Sequence, residues 1–315
     1  MILGCQRTFD ALCGILAFAA AVLLLSAGRG AAANADEHKP VDYVWRLASS
    51  VGAEGENREG DVLSIQLLLN QLVHNEAKLL EPDGVWGPKT AAALASFAKN
   101  AKLPGGASSV TEKSETTVAL RAAVAKVSLA RRVVSVANGE KMFWRNGQRQ
   151  ETDARVATRV RQYWLATNLD YTVDEIQTTK FQSSNPWSAA FVSWVMMRAG
   201  AGDQFAYSAA HWRYTAAAKE NRVANNKNPF KAYRPTERAL KNSTIVVKRR
   251  SDSTATYDNV QLGHKTHGDI VVGFDAGEVL TIGGNVGNSV RVTKFPINNK
   301  RFIATELHFA VIEVE

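Results

Sequence analysis

Cysteine is nearly absent from this chain: two residues in 315, Cys5 and Cys13, both within the first 13 positions. Those positions belong to a stretch with the marks of an export leader. Arg7 lies in a short front end, an unbroken apolar run covers 15–25, and Ala31, Ala33 and Ala35 offer two overlapping A-x-A cleavage sites. Removal of residues 1–35 as a signal peptide leaves no thiol. That excludes a disulfide scaffold, a Cys-ligated zinc or iron–sulfur site, and any Cys-nucleophile hydrolase. An uncleaved leader would just span a thinned bilayer over 12–28, so membrane contact is expected only if the leader is retained. Neither cysteine follows the apolar run, which speaks against a lipoprotein.

One-sided charge is also modest. Without Arg7, Arg29 and Asp10 the 38 basic and 30 acidic residues become 36 and 29, a net charge of +7. The excess is diffuse, and the one short basic run, Lys248-Arg249-Arg250, lacks interleaved aromatics, so no nucleic-acid partner is expected. For an exported chain a basic surface suits an anionic envelope polymer. At 45% hydrophobic and 22% charged residues, the composition is that of a folded protein, neither disordered nor collagen-like.

Residues 36–57 are polar and read as a linker with a turn of helix near 41–47. From Asp61 the pattern becomes helical, with Val62, Ile65, Leu69, Leu72 and Val73 on one face. A second helix from Pro88 aligns Ala91, Leu94, Phe97 and Ala101. Between them lies Pro82-Asp83-Gly84-Val85-Trp86-Gly87, a tight turn with Pro88 suited to the first helical position. The strings VLSIQLLLNQL and DGVWGPKTAAALASFAKNAKLP resemble the small all-helical peptidoglycan-binding module of bacterial cell-wall enzymes. Asp83, Gly84, Trp86, Gly87, Thr90 and Phe97 stand as its signature over 58–106. The family usually has Gln after that Phe; here it is Ala98. The resemblance implies peptidoglycan, glycan strand or stem peptide, as partner, and a two-helix spacer remains the plainer reading.

Residues 107–152 read as a connecting region in which TTVALRAAVAKVSLARRVV has the spacing of a helix. The second domain, 153–315, opens with a helix over 154–165. In NPWSAAFVSWVMMRAG, Asn185 is expected to cap, Pro186 to open and Gly200 to end a helix that carries Ser188 in its first turn. There the helix dipole and unpaired N–H groups favour an anion. Strands are expected over 243–249, 267–274, 278–282, 289–295 and 307–314. Helices followed by hairpin-like strands indicate an α+β domain with an antiparallel sheet.

The segment PWSAAFVSW resembles the nucleophile helix of the CHAP and NlpC-type papain-like cell-wall amidases, with Ser188 in place of their catalytic Cys. HGDIVVGF and the G-G-N turn resemble the stretch that carries their histidine. The W-S-A-A-F and H-x-D-I-V-V forms also resemble the exported family DUF2272. These resemblances imply a papain-like fold, with Ser188 as nucleophile, His267 as base and Asn285 as orienting group. Accessory candidates are Trp187, His211 and Asp269. Trp187 otherwise belongs to the core, and Asp269 shares a strand face with His267. His264 and His267 lack the spacing of a metal motif, and neither a metal nor another cofactor is expected.

Two functional readings stand. The first is a periplasmic or cell-envelope peptidoglycan hydrolase with a serine nucleophile, cleaving an amide or peptide bond. The second is a non-catalytic wall-binding or scaffold protein with a degenerate site, with an envelope protein as a further partner.

Overall fold

The computed structural model describes residues 45–103, 108–298, 301–302 and 307–314, so the leader expected at 1–35 lies outside the described residues. A short ladder of β1 (Val51–Gly52) and β2 (Ser109–Val110) brackets the helices α1 (Glu59–Gln71) and α2 (Pro88–Asn100). Pro88 does open α2, where its missing N–H costs nothing. Helix α1 is buried on every side from Asp61 to Gln71. A buried helix must find partners for its polar side chains: Ser64 and Gln71 bond back to the helix's own Gly60 and Leu67 carbonyls, and Asp61, Gln66 and Asn70 pin passing loops. Asp61 accepts from the backbone N–H of Ala48 and Ser49 at 2.8 and 2.9 Å, and Asn70 exchanges two bonds with the backbone of Leu80. Its apolar residues divide between two cores. Val62, Ile65, Leu68 and Leu69 pack with Leu94, Leu120 and Val124, whereas Leu63 and Leu67 join the core under the sheet.

The single helix expected within 107–152 is two. α3 (Glu115–Ala125) starts at a Ser114 cap, and α4 (Leu129–Phe143) follows a break at 126–128. α5 (Ala154–Leu165) begins at Asp153, whose carboxylate accepts from Arg155 N–H at 2.9 Å. Between α4 and α5 lies a fully buried ionic cluster. Arg159 and Tyr163 both donate to Glu140, Trp144 Nε1 donates to Tyr163 Oη at 2.8 Å, and Arg159 also donates to the Pro82 carbonyl at 2.6 Å. Burial raises the Glu140 carboxyl above its ordinary value despite these partners.

Two short helices, α6 (Val173–Ile176) and α7 (Thr179–Ser184), lead to α8 (Ser188–Arg198). Here the expected cap is corrected. Asn185 ends α7, its amide donating to the Phe181 carbonyl at 3.0 Å, and Trp187 takes the cap position of α8 without a side-chain bond. Pro186 therefore precedes the helix, and Ser188 is its first residue. Gly200 lies beyond the last turn with φ of +76°, as expected of a helix stop.

The stretch 216–241 holds most of α9 (His211–Val223) and β3 (Phe230–Tyr233). β3 becomes the edge of a seven-stranded sheet with β4 (Ile245–Arg249), β5 (Thr266–Asp275), β6 (Glu278–Gly283), β7 (Arg291–Asn298), β8 (Arg301–Phe302) and β9 (His308–Val314). The order is β3-β9-β4-β5-β6-β7-β8, antiparallel throughout. Strand alternation sorts the two faces. Ile245, Val247 and Ile270 join the core that holds α4, α5 and α8, while Val246, Val271 and Val311 pack on the other side with Tyr233 and Leu240. The chain is thus an α+β protein with the Ser188 helix laid on an antiparallel sheet.

Candidate functional site

Ser188 is 2% exposed, and its Oγ lies 2.7 Å from His211 Nε2. The first main-chain bond within α8 runs from Phe191 N–H to the Trp187 carbonyl, which leaves the N–H groups of the opening turn to be satisfied elsewhere. Those donors and the positive end of the helix face the side on which Ser188 begins the helix.

His211 opens α9. Its Nδ1 is hydrogen-bonded to Tyr214 Oη one turn on, and its ring faces that of His267 with centroids 5.4 Å apart. Burial, then the neighbouring His267 and Arg250, pushes the His211 pKa well below the usual imidazole value, so the ring is neutral at pH 7. A neutral imidazole has one donor and one acceptor nitrogen. When Nδ1–H donates to Tyr214 Oη, Nε2 accepts from the Ser188 hydroxyl, which is the form a base requires. Burial, with Asp269 nearby, raises the Tyr214 phenol well above its ordinary value and keeps it protonated.

On β5, His267 Nε2 meets Asp269 Oδ1 at 2.9 Å. Burial works against the charge on Asp269, but His267, Lys248 and His308 outweigh it and hold the carboxyl below its usual value. Ser188, His211, His267 and Asp269 thus lie in one buried polar cluster in which the serine hydroxyl bonds His211 rather than His267. Glycines make room for it. A Cβ on Gly268 would stand 2.8 Å from Tyr214 Oη and 2.9 Å from His211 Nδ1; one on Gly283 would stand 1.8 Å from Asp269 Oδ1. Gly283→Ala must therefore displace Asp269 from His267. Overpacking of this kind is expected to cost about 1–3 kcal/mol, read as a lower urea midpoint with unchanged slope. An unchanged midpoint would mean that the carboxylate relaxes freely.

Burial, then Lys248, brings the His308 pKa from 6.5 down to about 4. A histidine depressed in the folded state contributes stability that is intact above pH 6.5 and lost as pH falls through 4, because the unfolded chain takes the proton first. The raised carboxyls Glu140 and Glu151 act in the opposite sense, so the measurement is a difference. His308→Gln is expected to lose less stability than the parent as melts are taken from pH 6.5 to 4, and parallel curves would refute the assignment.

The remaining candidates fall elsewhere. Trp187 is 1% exposed and belongs to the core; it stacks on Trp144 and Tyr163 at 5.2 and 5.5 Å and donates to Glu151 at 2.5 Å. Asn285 holds φ of +55° in the turn after β6 and makes no side-chain bond to His267 among the described residues. The position beside His267 is filled by Asp269. In the helix–turn–helix, Asp83, Gly84 and Thr90 all converge on buried Gln66 of α1. Gln66 donates to Asp83 at 2.8 Å and to Thr90 at 3.2 Å and accepts from Gly84 N–H at 2.9 Å. Gly84 has φ of +74° and abuts the backbone of Glu59, which forbids a side chain. These signature residues build the turn. Trp86 instead lines a groove of about 880 Å³ with Arg145, Arg149 and Arg155, and Phe97 packs against the smaller core. Gly87 caps α2 in an extended conformation.

Tyr214 was not among the sequence candidates; its spacing of three from His211 becomes informative only once 211–223 is recognised as a helix. Among the described residues no group of three His, Cys, Asp or Glu is placed to hold a metal ion, and no helix is long and apolar enough to cross a membrane. No curated protein and no solved structure matches the chain. Residues 140–313 match the model of a family described as "Uncharacterized protein conserved in bacteria (DUF2272)", a span that takes in Glu140, the Ser188 helix and nearly the whole sheet. With more than half of its length so matched, the chain belongs to the DUF2272 family.

Proposed function

We propose that this protein is an exported, peptidoglycan-associated hydrolase of papain-like design that cleaves an amide or peptide bond with Ser188 as nucleophile. The observation that carries the reading is the 2.7 Å contact between Ser188 Oγ and a neutral His211 Nε2 at a helix N-terminus. His211 takes the hydroxyl proton as Oγ attacks the carbonyl carbon, and first-turn N–H groups of α8 receive the developing oxyanion. The imidazolium then protonates the departing amine, and water releases the acyl group from Ser188. Tyr214 fixes the productive tautomer. His267, oriented by Asp269, stands beside His211 with ring centroids 5.4 Å apart, which gives the strand histidine a supporting role rather than that of base.

The groove at Trp86 supports wall docking. An aromatic face stacks on sugar rings; the lining also holds Glu59, Glu81 and Asp83, and with Arg149 paired to Glu81 at 3.0 Å it is Arg145 and Arg155 that suit the carboxylates of stem peptides. A second reading, a wall-binding scaffold with a degenerate site, is favoured by burial: Ser188 and His211 are 2% and 3% exposed. Digestion of purified sacculi separates the two. Fragment release by the parent protein and none by Ser188→Ala supports the hydrolase; co-sedimentation without release by either supports the scaffold.

A further inference from the structure

A second polar cavity, remote in sequence from the Ser188 cluster, lies between the loop after α1, one face of α4, and the strand side at Asn242 and Val272. Its volume is about 320 Å³, the lower end of the range for small-molecule sites. On α4 the contributing positions, Arg131, Ser135 and Asn138, recur at helical spacing and line one wall. Asn138 is 6% exposed, and its Oδ1 has no hydrogen-bond partner among the described residues; neither has the buried Oγ of Ser135. A buried carbonyl oxygen left without a donor is costly, so these atoms call for a ligand that donates N–H. Glu76 at the rim is already paired with Lys141, and Arg131 therefore supplies the cavity with its uncompensated positive charge. Val73, Leu79 and Val134 complete an apolar floor, and His74 joins the lining beside Val73.

We propose that this cavity binds a free amino acid or dipeptide, its N–H donated to Asn138 Oδ1 and its carboxylate held by Arg131, with Asn242 and Ser135 as further hydrogen-bonding groups. The site goes beyond the hydrolase reading and is independent of Ser188. Titration calorimetry on the chain lacking residues 1–35 and carrying Ser188→Ala, so that nothing is turned over, tests it with alanyl-alanine and its C-terminal amide. Saturable binding of the dipeptide is expected, weakened about tenfold or more by amidation of the carboxylate, by Arg131→Gln at the exposed rim, and by Asn138→Leu. Absence of saturable binding would overturn the proposal. So would an amide, or an Arg131→Gln protein, that binds as tightly as the parent pair. If Asn138→Leu melts higher and the parent binds no dipeptide, the cavity is a packing defect and the proposal fails, whatever the sacculi digestion gives.

Discussion

Ser188→Ala and His211→Ala are each expected to lower fragment release from sacculi by about a thousandfold or more, and the double variant is expected to be no worse than either alone. Groups that act as one unit in a proton transfer lose their shared effect once, so their penalties do not add. Under the proposed reading His267→Gln is expected to cost much less, about tenfold, because the strand histidine would act on the reacting pair through His211. The ranking is the test. Should His267→Gln abolish release while His211→Gln retains it, the base is the strand histidine, and the Ser188–His211 contact is a resting arrangement that substrate replaces. Tyr214→Phe adds a finer readout. Losing the partner of Nδ1 frees the ring to adopt either tautomer, so kcat should fall with little change in KM.

The largest loss of stability is expected from the ionic cluster between α4 and α5. Removing one member of a buried ion pair costs about 3–5 kcal/mol, which for a chain of this size lowers the melting temperature by about 10 °C. Glu140→Leu should be the worse of the two single changes. It leaves Arg159 facing Arg198, whose guanidinium burial and Arg159 already bring down to about 10, with no anion between them. Arg159→Leu leaves a carboxyl whose pKa is already raised and which can take a proton. The double Glu140→Leu, Arg159→Leu variant should recover much of the loss, since neither charge is then stranded. Melts of the four proteins check this. Equal single costs that simply add would show that Glu140 and Arg159 are not coupled.

The contrast between what sequence reveals and what it hides follows the range of the interactions. Local chemistry was legible: Pro88 opens α2, the helical pattern over 154–165 becomes α5, and alternation within Ile245-Val246-Val247 places a strand with two packed faces. The misread cap had a local cause as well, because Asn185-Pro186 carries the same signals whether the helix starts at 186 or 188, and Trp187 decides it only by being buried. His211–Val223 was hidden because its few packed positions, Tyr214, Thr215 and Ala218 among them, leave a largely polar string with no clear apolar stripe. The serine–histidine contact depends on that helix, so sequence paired Ser188 with His267 at the start of a recognisable strand, whereas the structure brings Ser188 against His211. The Gly283-Gly284 pair read as a turn, yet neither residue needs a positive φ. Gly283 makes space for Asp269 and Gly284 for Phe191, whose Cβ would lie 2.4 Å from an added methyl.

Helix α1 contributes Leu63 and Leu67 to one core and Val62 and Ile65 to the other, and Arg159 grips the Pro82 carbonyl from the opposite side. The turn at 82–87 is therefore not on a leash. Under the proposed reading, a polymer lying against Trp86 meets Ser188 at a set offset, like stock held against the stop of a saw. The fragments it yields should then cluster around preferred lengths.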